Sequence, residues 1–146
     1  MNKSFLIILA LICMAILLIA PVTAKETASV LGSGCTPGFW KNHLDAWPNE
    51  FPPSLTIMVN LNGDQEEDTA LDALSYKGGN DIKGAKRIFL RAYITADLNK
   101  VVFEDAYPID DITLAEALDA YLFGDRQEML DFATQLDAAN NGDCPL

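Results

Sequence analysis

The sequence predicts a mainly α-helical, single compact domain of four or five helices, with at most one short β-hairpin, closed by a disulfide between its two ends. Three observations support this prediction. Apolar residues recur at helical spacing across the second half of the chain, and residues that cap helices precede those stretches. Cys35 and Cys144 stand near the two ends of the region.

The first predicted helix covers residues 37–46. Thr36 can cap it, because its side-chain oxygen accepts a hydrogen bond from a free backbone N–H, and Pro37 suits the first helical position. Prolines from Pro48 onward end this helix and favour an extended segment.

A short strand and a turn follow. Apolar and polar residues alternate over 55–60, which is typical of a half-buried strand, and Asn62-Gly63 is a strong turn signal. The next residues are predicted to open a helix that runs to Tyr76, because acidic side chains stabilise the positive end of a helix dipole. These acidic residues are Asp64, Glu66, Glu67 and Asp68.

The longest predicted helix covers about residues 82–102, with Asn80 or Asp81 as its cap. It is apolar around most of its circumference, so we expect it to be the buried centre of the domain. Its one polar stripe is expected to be solvated and to pair with acids of neighbouring helices, with an acidic ligand as the alternative. The stripe consists of Lys83, Arg87, Arg91, Thr95 and Asn99.

Two more helices complete the domain. A capping box at Thr113 and Glu116 predicts a helix that ends at Phe123. A second box at Asp125 and Glu128 predicts a last helix that ends at about residue 139.

The first 24 residues have the pattern of a cleavable secretory signal. Lys3 precedes an apolar run over residues 5–20, and Val22-Thr23-Ala24 supplies the small residues of a cleavage site. We therefore expect cleavage after Ala24, a flexible leader over 25–34 and a single domain over 35–146. The pattern therefore predicts a secreted or cell-surface protein that has no membrane contact after cleavage. An uncleaved N-terminal membrane anchor is the alternative.

The net charge limits the classes of partner that the protein can bind. The chain has 21 acidic and 10 basic side chains, a net charge of −11, and loss of Lys3 with the signal makes it more negative. So acidic a chain repels nucleic acid and anionic lipid, and favours cations or basic surfaces. Solubility outside the cell is the simpler use of the same charge.

Two cysteines remain after signal cleavage, because Cys13 leaves with the signal. Cys35 and Cys144 are expected to pair, as cysteines of exported chains do. A loop of that length is worth about 4–5 kcal/mol by chain entropy. The alternative is a zinc site that includes His43, but it lacks a fourth ligand.

His43 is the only histidine. With a nearby acid such as Asp45 it could act as a general base in a small extracellular hydrolase. The chain carries no motif of a serine hydrolase, zinc protease or phosphate loop. The sequence therefore leaves enzymatic activity open and favours a structural His43 beside Trp40.

No cofactor is expected, and calcium is the alternative. Oxygen-bearing residues at every second position around the Asn62-Gly63 turn partly resemble a calcium loop, although Leu71 stands where the closing acid is expected. A solvated turn explains them without an ion. The candidate ligands are Asn60, Asn62, Asp64, Glu66 and Asp68.

Three aromatic residues are candidates for a binding surface. If exposed, Phe39, Trp40 and Trp47 could stack on sugars or contact a partner. Tryptophan is mostly buried, so we expect them to form a corner of the core instead.

The chain resembles a family of uncharacterised exported bacterial and archaeal domains. The family opens with Cys-Thr-x-Gly-(Phe/Tyr)-Trp-Lys-Asn-His followed by Trp-Pro, and residues 35–43 and Trp47-Pro48 are similar to that opening. Leu98-Asn99 and Cys144 are similar to a helix ending in Leu-Asn and to a late cysteine of the family. Within that helix, Ala92, Tyr93, Thr95 and Asp97 depart from the family's usual residues.

The resemblance implies export, a compact fold and a disulfide, and it implies no activity. Frequent fusion to cell-surface modules in that family implies an interaction role. We therefore expect a secreted or cell-surface acidic domain that binds an extracellular partner or has a structural role. The alternatives are a hydrolase using His43 and Asp45, and a calcium-dependent surface module.

Overall fold

The computed structural model describes residues 32–61 and 65–146, which belong to one compact unit. This part of the chain is mainly helical, with one two-stranded antiparallel hairpin, and confirms the predicted fold class. The elements are α1 (Pro37–Asn42), β1 (Thr56–Asn60), β2 (Gln65–Thr69), α2 (Ala70–Ala73), α3 (Ile82–Phe103), α4 (Asp111–Phe123) and α5 (Arg126–Asn140). Short 3₁₀ turns follow α1 at Leu44–Ala46 and α3 at Glu104–Ala106.

The domain begins before Cys35. The predicted signal over 1–24 and leader residues 25–31 lie outside the described residues. Ser33 donates its backbone N–H to the carbonyl of Ala106 at 3.0 Å, and Gly34 donates to the carbonyl of Asp143 at 3.1 Å. The last two residues assigned to a flexible leader are therefore hydrogen bonded to the domain.

Helix α1 is shorter than the predicted 37–46. The Thr36 side chain accepts the Phe39 N–H at 3.1 Å, as a cap should, but the helix ends at Asn42. The chain then turns back, and the Trp47 indole N–H donates to the carbonyl of Trp40 at 2.8 Å. This tertiary contact outweighs continuation of the helix.

Glu66, Glu67 and Asp68 form part of a strand, and the helix start predicted at these residues is wrong. Strand β2 pairs with β1 in a register that sets Thr56 opposite Thr69. Helix α2 starts only after Thr69, whose side chain accepts the Asp72 N–H at 3.1 Å while the Asp72 carboxylate accepts the Thr69 N–H at 3.2 Å. This reciprocal cap and the pairing with β1 outweigh the attraction of acidic residues to a helix dipole.

Helix α3 is the centre of the fold, as predicted. Asp81 caps it by accepting the Gly84 N–H at 2.7 Å. It packs against α1, α2, α4 and α5. Phe89 is fully buried, and its ring stacks between those of Tyr93 and Tyr121, with centroids 5.5 Å from each.

The predicted solvated stripe on α3 is wrong over most of its length. Thr95 and Asn99 are fully buried. Arg91 donates to the carbonyl of Tyr76 at 3.3 Å, and the Arg87 guanidinium lies 5.9 Å from the centre of the Tyr76 ring. The segment after α2 and the two ends of the domain cover the face that helical spacing alone assigns to water.

The caps of α4 and α5 differ from each other. Asp110 caps α4 by accepting the Thr113 N–H at 2.7 Å, so Thr113 is inside the helix and the predicted box at Thr113 is wrong. The box before α5 is confirmed: Asp125 accepts the Glu128 N–H at 3.0 Å, and the Glu128 carboxylate accepts the Asp125 N–H at 2.9 Å.

The disulfide between Cys35 and Cys144 is present, and it closes a separation of 109 residues. Because each sulfur is bonded to the other, the alternative zinc site with His43 is excluded. Beside the disulfide, a Cβ at Gly34 would overlap the carbonyl oxygen of Ala139, so the two chain ends approach closely only with glycine there.

The side chain of Asn99 holds the N-terminal end of the domain against α3. Its Oδ1 accepts the backbone N–H of Cys35 at 2.9 Å and the indole N–H of Trp40 at 3.0 Å. Its Nδ2 donates to the carbonyl of Cys35 at 2.9 Å. Both partners of Oδ1 can only donate, so the orientation of the amide is determined by its surroundings.

Asn140 continues this network into α5. Its Oδ1 accepts from Asn99 Nδ2 at 2.9 Å and from the Tyr107 hydroxyl at 2.7 Å. Its Nδ2 donates to the carbonyl of Ala92 at 3.0 Å. Asn99, Asn140 and Tyr107 are all buried, so every bond in this network is shielded from water.

We expect Asn99→Ala to lower the free energy of unfolding by about 3–5 kcal/mol, because it leaves the buried donors of Cys35 and Trp40 and the carbonyl of Cys35 without partners. Equilibrium urea unfolding followed by tryptophan fluorescence measures the change. Asn42→Ala is the matched control, since Asn42 is exposed and its side chain bonds only to the carbonyl of Gly38. A loss below about 1 kcal/mol for Asn99→Ala would contradict a stabilising network.

Candidate functional site

The two tryptophans of the opening segment are in the core and do not form a binding surface. Trp40 is fully buried and Trp47 is nearly so, which confirms the expected burial. Phe39 is partly buried, and its ring packs against Trp40 with centroids 5.3 Å apart. Of the three aromatic candidates, only Phe39 keeps part of its ring at the surface.

His43 is exposed and is held by the backbone of α1. Its Nδ1 lies 2.9 Å from the carbonyl oxygen of Phe39, and because a carbonyl only accepts, Nδ1 donates this hydrogen bond. The ring also stacks on Phe39, with centroids 4.3 Å apart. Within the described part of the chain, no hydrogen bond or ion pair joins His43 to the exposed Asp45.

Three of the five candidate calcium ligands lie among the described residues, and each has different surroundings. Asn62 and Asp64 lie outside the described residues. The ammonium of Lys86 lies 2.7 Å from the carbonyl oxygen of Asn60, and the Tyr76 hydroxyl donates to Asp68. Glu66 is exposed on β2. Over residues 32–61 and 65–146, no group of three acidic, histidine or cysteine side chains is placed to hold a metal ion.

A groove with mainly apolar walls lies between β1, α3 and α4. Its volume is about 300 Å³. Residues of α3 spaced three or four apart form its floor, because that spacing places them on one helix face. We call it the α3–α4 groove; it is lined by Phe51, Leu55, Ile57, Met58, Leu90, Tyr93, Ile94, Asp97, Leu118 and Tyr121.

The walls of this groove are held in place by contacts to the core. The Tyr121 hydroxyl accepts the backbone N–H of Asn60 at 2.9 Å, which joins α4 to β1. Tyr93 and Tyr121 both stack on the buried Phe89. Two aromatic walls of the groove are therefore held by packing and hydrogen bonding within the protein.

Among the described residues that line the groove, Asp97 is the only acidic one. Burial raises the pKa of its carboxyl from the ordinary 3.8 to about 6, and the nearby charge of Asp111 adds to the effect. Burial, and then the charge of Asp97, raises the pKa of Tyr93 to about 12. Among the described residues, no hydrogen bond or ion pair to the Asp97 carboxyl is present.

Helix α4 exposes a second apolar feature beside the groove. Phe123 is 84% exposed and Ile112 is 71% exposed, although an amphipathic helix normally turns such residues inward. Leu118 and Leu122 are exposed on the same helix. We call these four side chains the α4 ridge: Ile112, Leu118, Leu122 and Phe123.

Acidic side chains border the ridge on the side away from the groove. A depression of about 410 Å³ lies there between α4 and α5. Glu116, Asp119 and Glu128 line it together with Phe123 and Phe132. The exposed apolar surface is therefore next to negative charge.

Neither the α3–α4 groove nor the α4 ridge was predicted from the sequence. Asp97 is a single acid within an apolar helix, and helical spacing alone does not show that it lines a groove. The ridge could have been predicted from the sequence. Helix α4 carries apolar residues around most of its circumference, and a small domain cannot bury a helix on all sides.

Comparison with protein-family models, with curated proteins and with solved structures finds no match to this chain. The resemblance of residues 35–48 to an exported family therefore stays a prediction. No helix of the described residues is both long enough and apolar enough to span a bilayer.

We expect His43→Gln to lower the melting temperature slightly and to abolish no activity, because the exposed ring is held by the carbonyl and the ring of Phe39 in the preceding helix. Thermal melts and a screen of generic esterase, glycosidase and peptidase substrates measure both effects. Asp45→Asn is the matched control for the hydrolase alternative. Turnover by the wild type that disappears in a folded His43→Gln variant would support that alternative and contradict a structural His43.

We expect Asp97→Asn to stabilise the protein at pH 8 and not at pH 4. The folded-state pKa lies above the unfolded value, so the folded state binds the proton more tightly, and wild-type stability falls as the pH rises from about 4 to about 6. Asparagine removes that loss, which amounts to about 3 kcal/mol.

The measurement is the difference in the free energy of unfolding between the variant and the wild type from pH 4 to pH 8. Hydrogen bonds from Thr69 and Thr113 lower the pKa values of Asp72 and Asp110, so these two residues make the protein less stable as the pH falls. Both proteins share this trend, and the subtraction removes it. The difference should rise up to about pH 6 and then level off. A difference that does not change with pH would show that Asp97 ionises as freely in the folded state as in the unfolded chain.

Proposed function

We propose that this protein is a secreted or cell-surface binding domain that docks onto an extracellular partner through the α4 ridge. One observation carries the proposal: a single helix of a small disulfide-closed domain exposes four large apolar side chains. Exposed apolar patches of this kind mark interaction sites in proteins.

Export is supported by the sequence and is compatible with the disulfide. The first 24 residues have the pattern of a secretory signal. Disulfides such as Cys35–Cys144 persist mainly in oxidising compartments outside the cytosol.

The border of the ridge indicates what kind of partner fits. Glu116, Asp119 and Glu128 place negative charge beside Phe123. A protein surface that combines apolar side chains with lysine or arginine is complementary to this border, because opposite charges steer association and exclude wrong partners. The net charge of −11 repels anionic surfaces.

We expect protein isolated from the surface or medium of the source cells to begin at Lys25, because cleavage follows Ala24. Its intact mass should lack both thiol hydrogens of Cys35 and Cys144 until a reductant is added. Mass spectrometry before and after reduction measures both. Retention of residues 1–24 would contradict cleavage and support the N-terminal anchor.

We expect a fluorescently labelled mature domain to bind the surface of the source cells, and the Leu122→Gln, Phe123→Gln double variant to bind about tenfold less, because it removes two exposed apolar side chains of the ridge. Flow cytometry measures the bound label. Ile82→Gln with Val101→Gln is the matched control, since both residues are exposed and apolar but lie on α3.

Three outcomes would contradict docking through the ridge. They are the absence of wild-type binding, equal binding by the ridge variant, and an equal loss in the control variant. Binding that weakens as salt rises would agree with a basic partner, because salt screens charges at an exposed interface.

A further inference from the structure

We propose that the α3–α4 groove is a binding site for small organic cations, with the apolar body of the ligand between α3, α4 and β1 and its ammonium group against Asp97. This goes beyond docking through the α4 ridge and does not depend on it. The inference rests on the shape of the groove, the chemistry of its walls and the position of its one carboxylate.

The groove has the size and lining of a small-molecule site. Its volume of about 300 Å³ is at the lower end of the range for such sites. Apolar and aromatic side chains form most of the wall, with a single charged group, which is the usual composition of a ligand pocket. The partly buried Tyr93 also provides a ring that attracts a cation, whereas the Tyr121 ring already has the ammonium of Lys86 5.6 Å from its centre.

The groove does not depend on ligand binding for its shape. Phe89 fixes the rings of Tyr93 and Tyr121 from below, and the Asn60 N–H fixes the Tyr121 hydroxyl. A rigid site loses less conformational entropy when a ligand binds, so a small ligand retains more of its interaction energy.

The charge that the groove requires is positive. Asp97 lies in an apolar wall without a hydrogen bond or ion pair to any described residue. A neutral apolar ligand would therefore remove water from its carboxylate without supplying a charge or hydrogen-bond donor in its place. An anion would be repelled by Asp97 and by Asp111. An ammonium group supplies both the missing charge and a hydrogen-bond donor.

The charged and titratable groups around Asp97 leave it free for such a ligand. Lys100 lies on the same helix, but its ammonium is 3.9 Å from a carboxylate oxygen of Asp111. Tyr93 and Tyr107 feel the charge of Asp97, and burial raises the pKa of both hydroxyls, so they stay neutral. Lys86 lies about three turns of α3 away, where it contacts the Tyr121 ring.

The pH dependence of binding follows from the same geometry. An ammonium group binds the ionised carboxylate, and the pKa of Asp97 in the free protein is about 6. Affinity for the cation should therefore weaken as the pH falls below about 6, whereas affinity for a neutral ligand of the same shape should not.

The test compares 4-phenylbutylamine with 4-phenylbutan-1-ol, which have the same apolar body and differ in charge. Each is titrated at pH 8 into ¹⁵N-labelled wild type, Asp97→Asn and Asp119→Asn, with the amides of Tyr93, Asp97 and Leu118 as reporters. Asp119→Asn is the matched control, because it removes an acid of α4 that lines the other depression.

We expect the amine to bind the wild type about tenfold more tightly than the alcohol. This preference should disappear in Asp97→Asn, remain in Asp119→Asn, and fall in the wild type at pH 5. Equal affinities in the wild type, or an undiminished preference in Asp97→Asn, would overturn the proposal. Failure of both probes to shift the reporter amides would also overturn it, and would leave docking through the α4 ridge unaffected, since that is measured on cell surfaces.

Discussion

The buried amide of Asn99 joins helix α3 to the N-terminal end of the domain and to helix α5. It bonds to the backbone N–H and the carbonyl of Cys35, to the indole of Trp40 and to the side chain of Asn140. Its two acceptor and two donor positions are thus all used in a fully buried site. A side chain satisfied in this way specifies one arrangement of the elements around it, because any other arrangement leaves buried polar groups without partners.

This arrangement gives α3 two different sides. Asn99 and Asp97 are two positions apart, so they point about 200° away from each other around the helix. On the side of Asn99, the chain ends, the disulfide and α5 seal the helix. On the side of Asp97, the hairpin and α4 leave the groove open. The hydrogen bonds and the disulfide on the closed side stabilise the domain. They offset the cost of leaving the Asp97 carboxylate on the open side without a partner among the described residues.

Local signals predicted the elements that depend on neighbouring residues. The caps at Thr36, Asp81 and Asp125, the central position of α3 and the disulfide could all be read from short patterns or from cysteine number. The start of α2 could not, because the choice between strand and helix for the acidic residues depends on pairing with β1. The cap of α4 was misplaced because Asp110 competes with Thr113 over a few residues.

The candidate sites depend on contacts that local patterns do not contain. Asn99 meets Cys35 across 64 residues and Trp40 across 59 residues, so helical spacing could assign it only to a polar stripe. Asp97 lines a groove whose other walls come from β1 and α4. His43 and the tryptophans were candidate site residues because of their residue types. The tryptophans are core residues, however, and His43 is bonded to Phe39 of the preceding helix.

Native-state hydrogen exchange at the Trp40 indole N–H and the Cys35 amide measures how firmly Asn99 holds the two chain ends together. Both groups donate to Asn99 Oδ1, so both should exchange only when the whole domain unfolds, with an opening free energy equal to that of global unfolding. Exchange through a local opening of much lower free energy, comparable to that of exposed helix ends, would show that Asn99 does not hold the two chain ends together and would contradict the account.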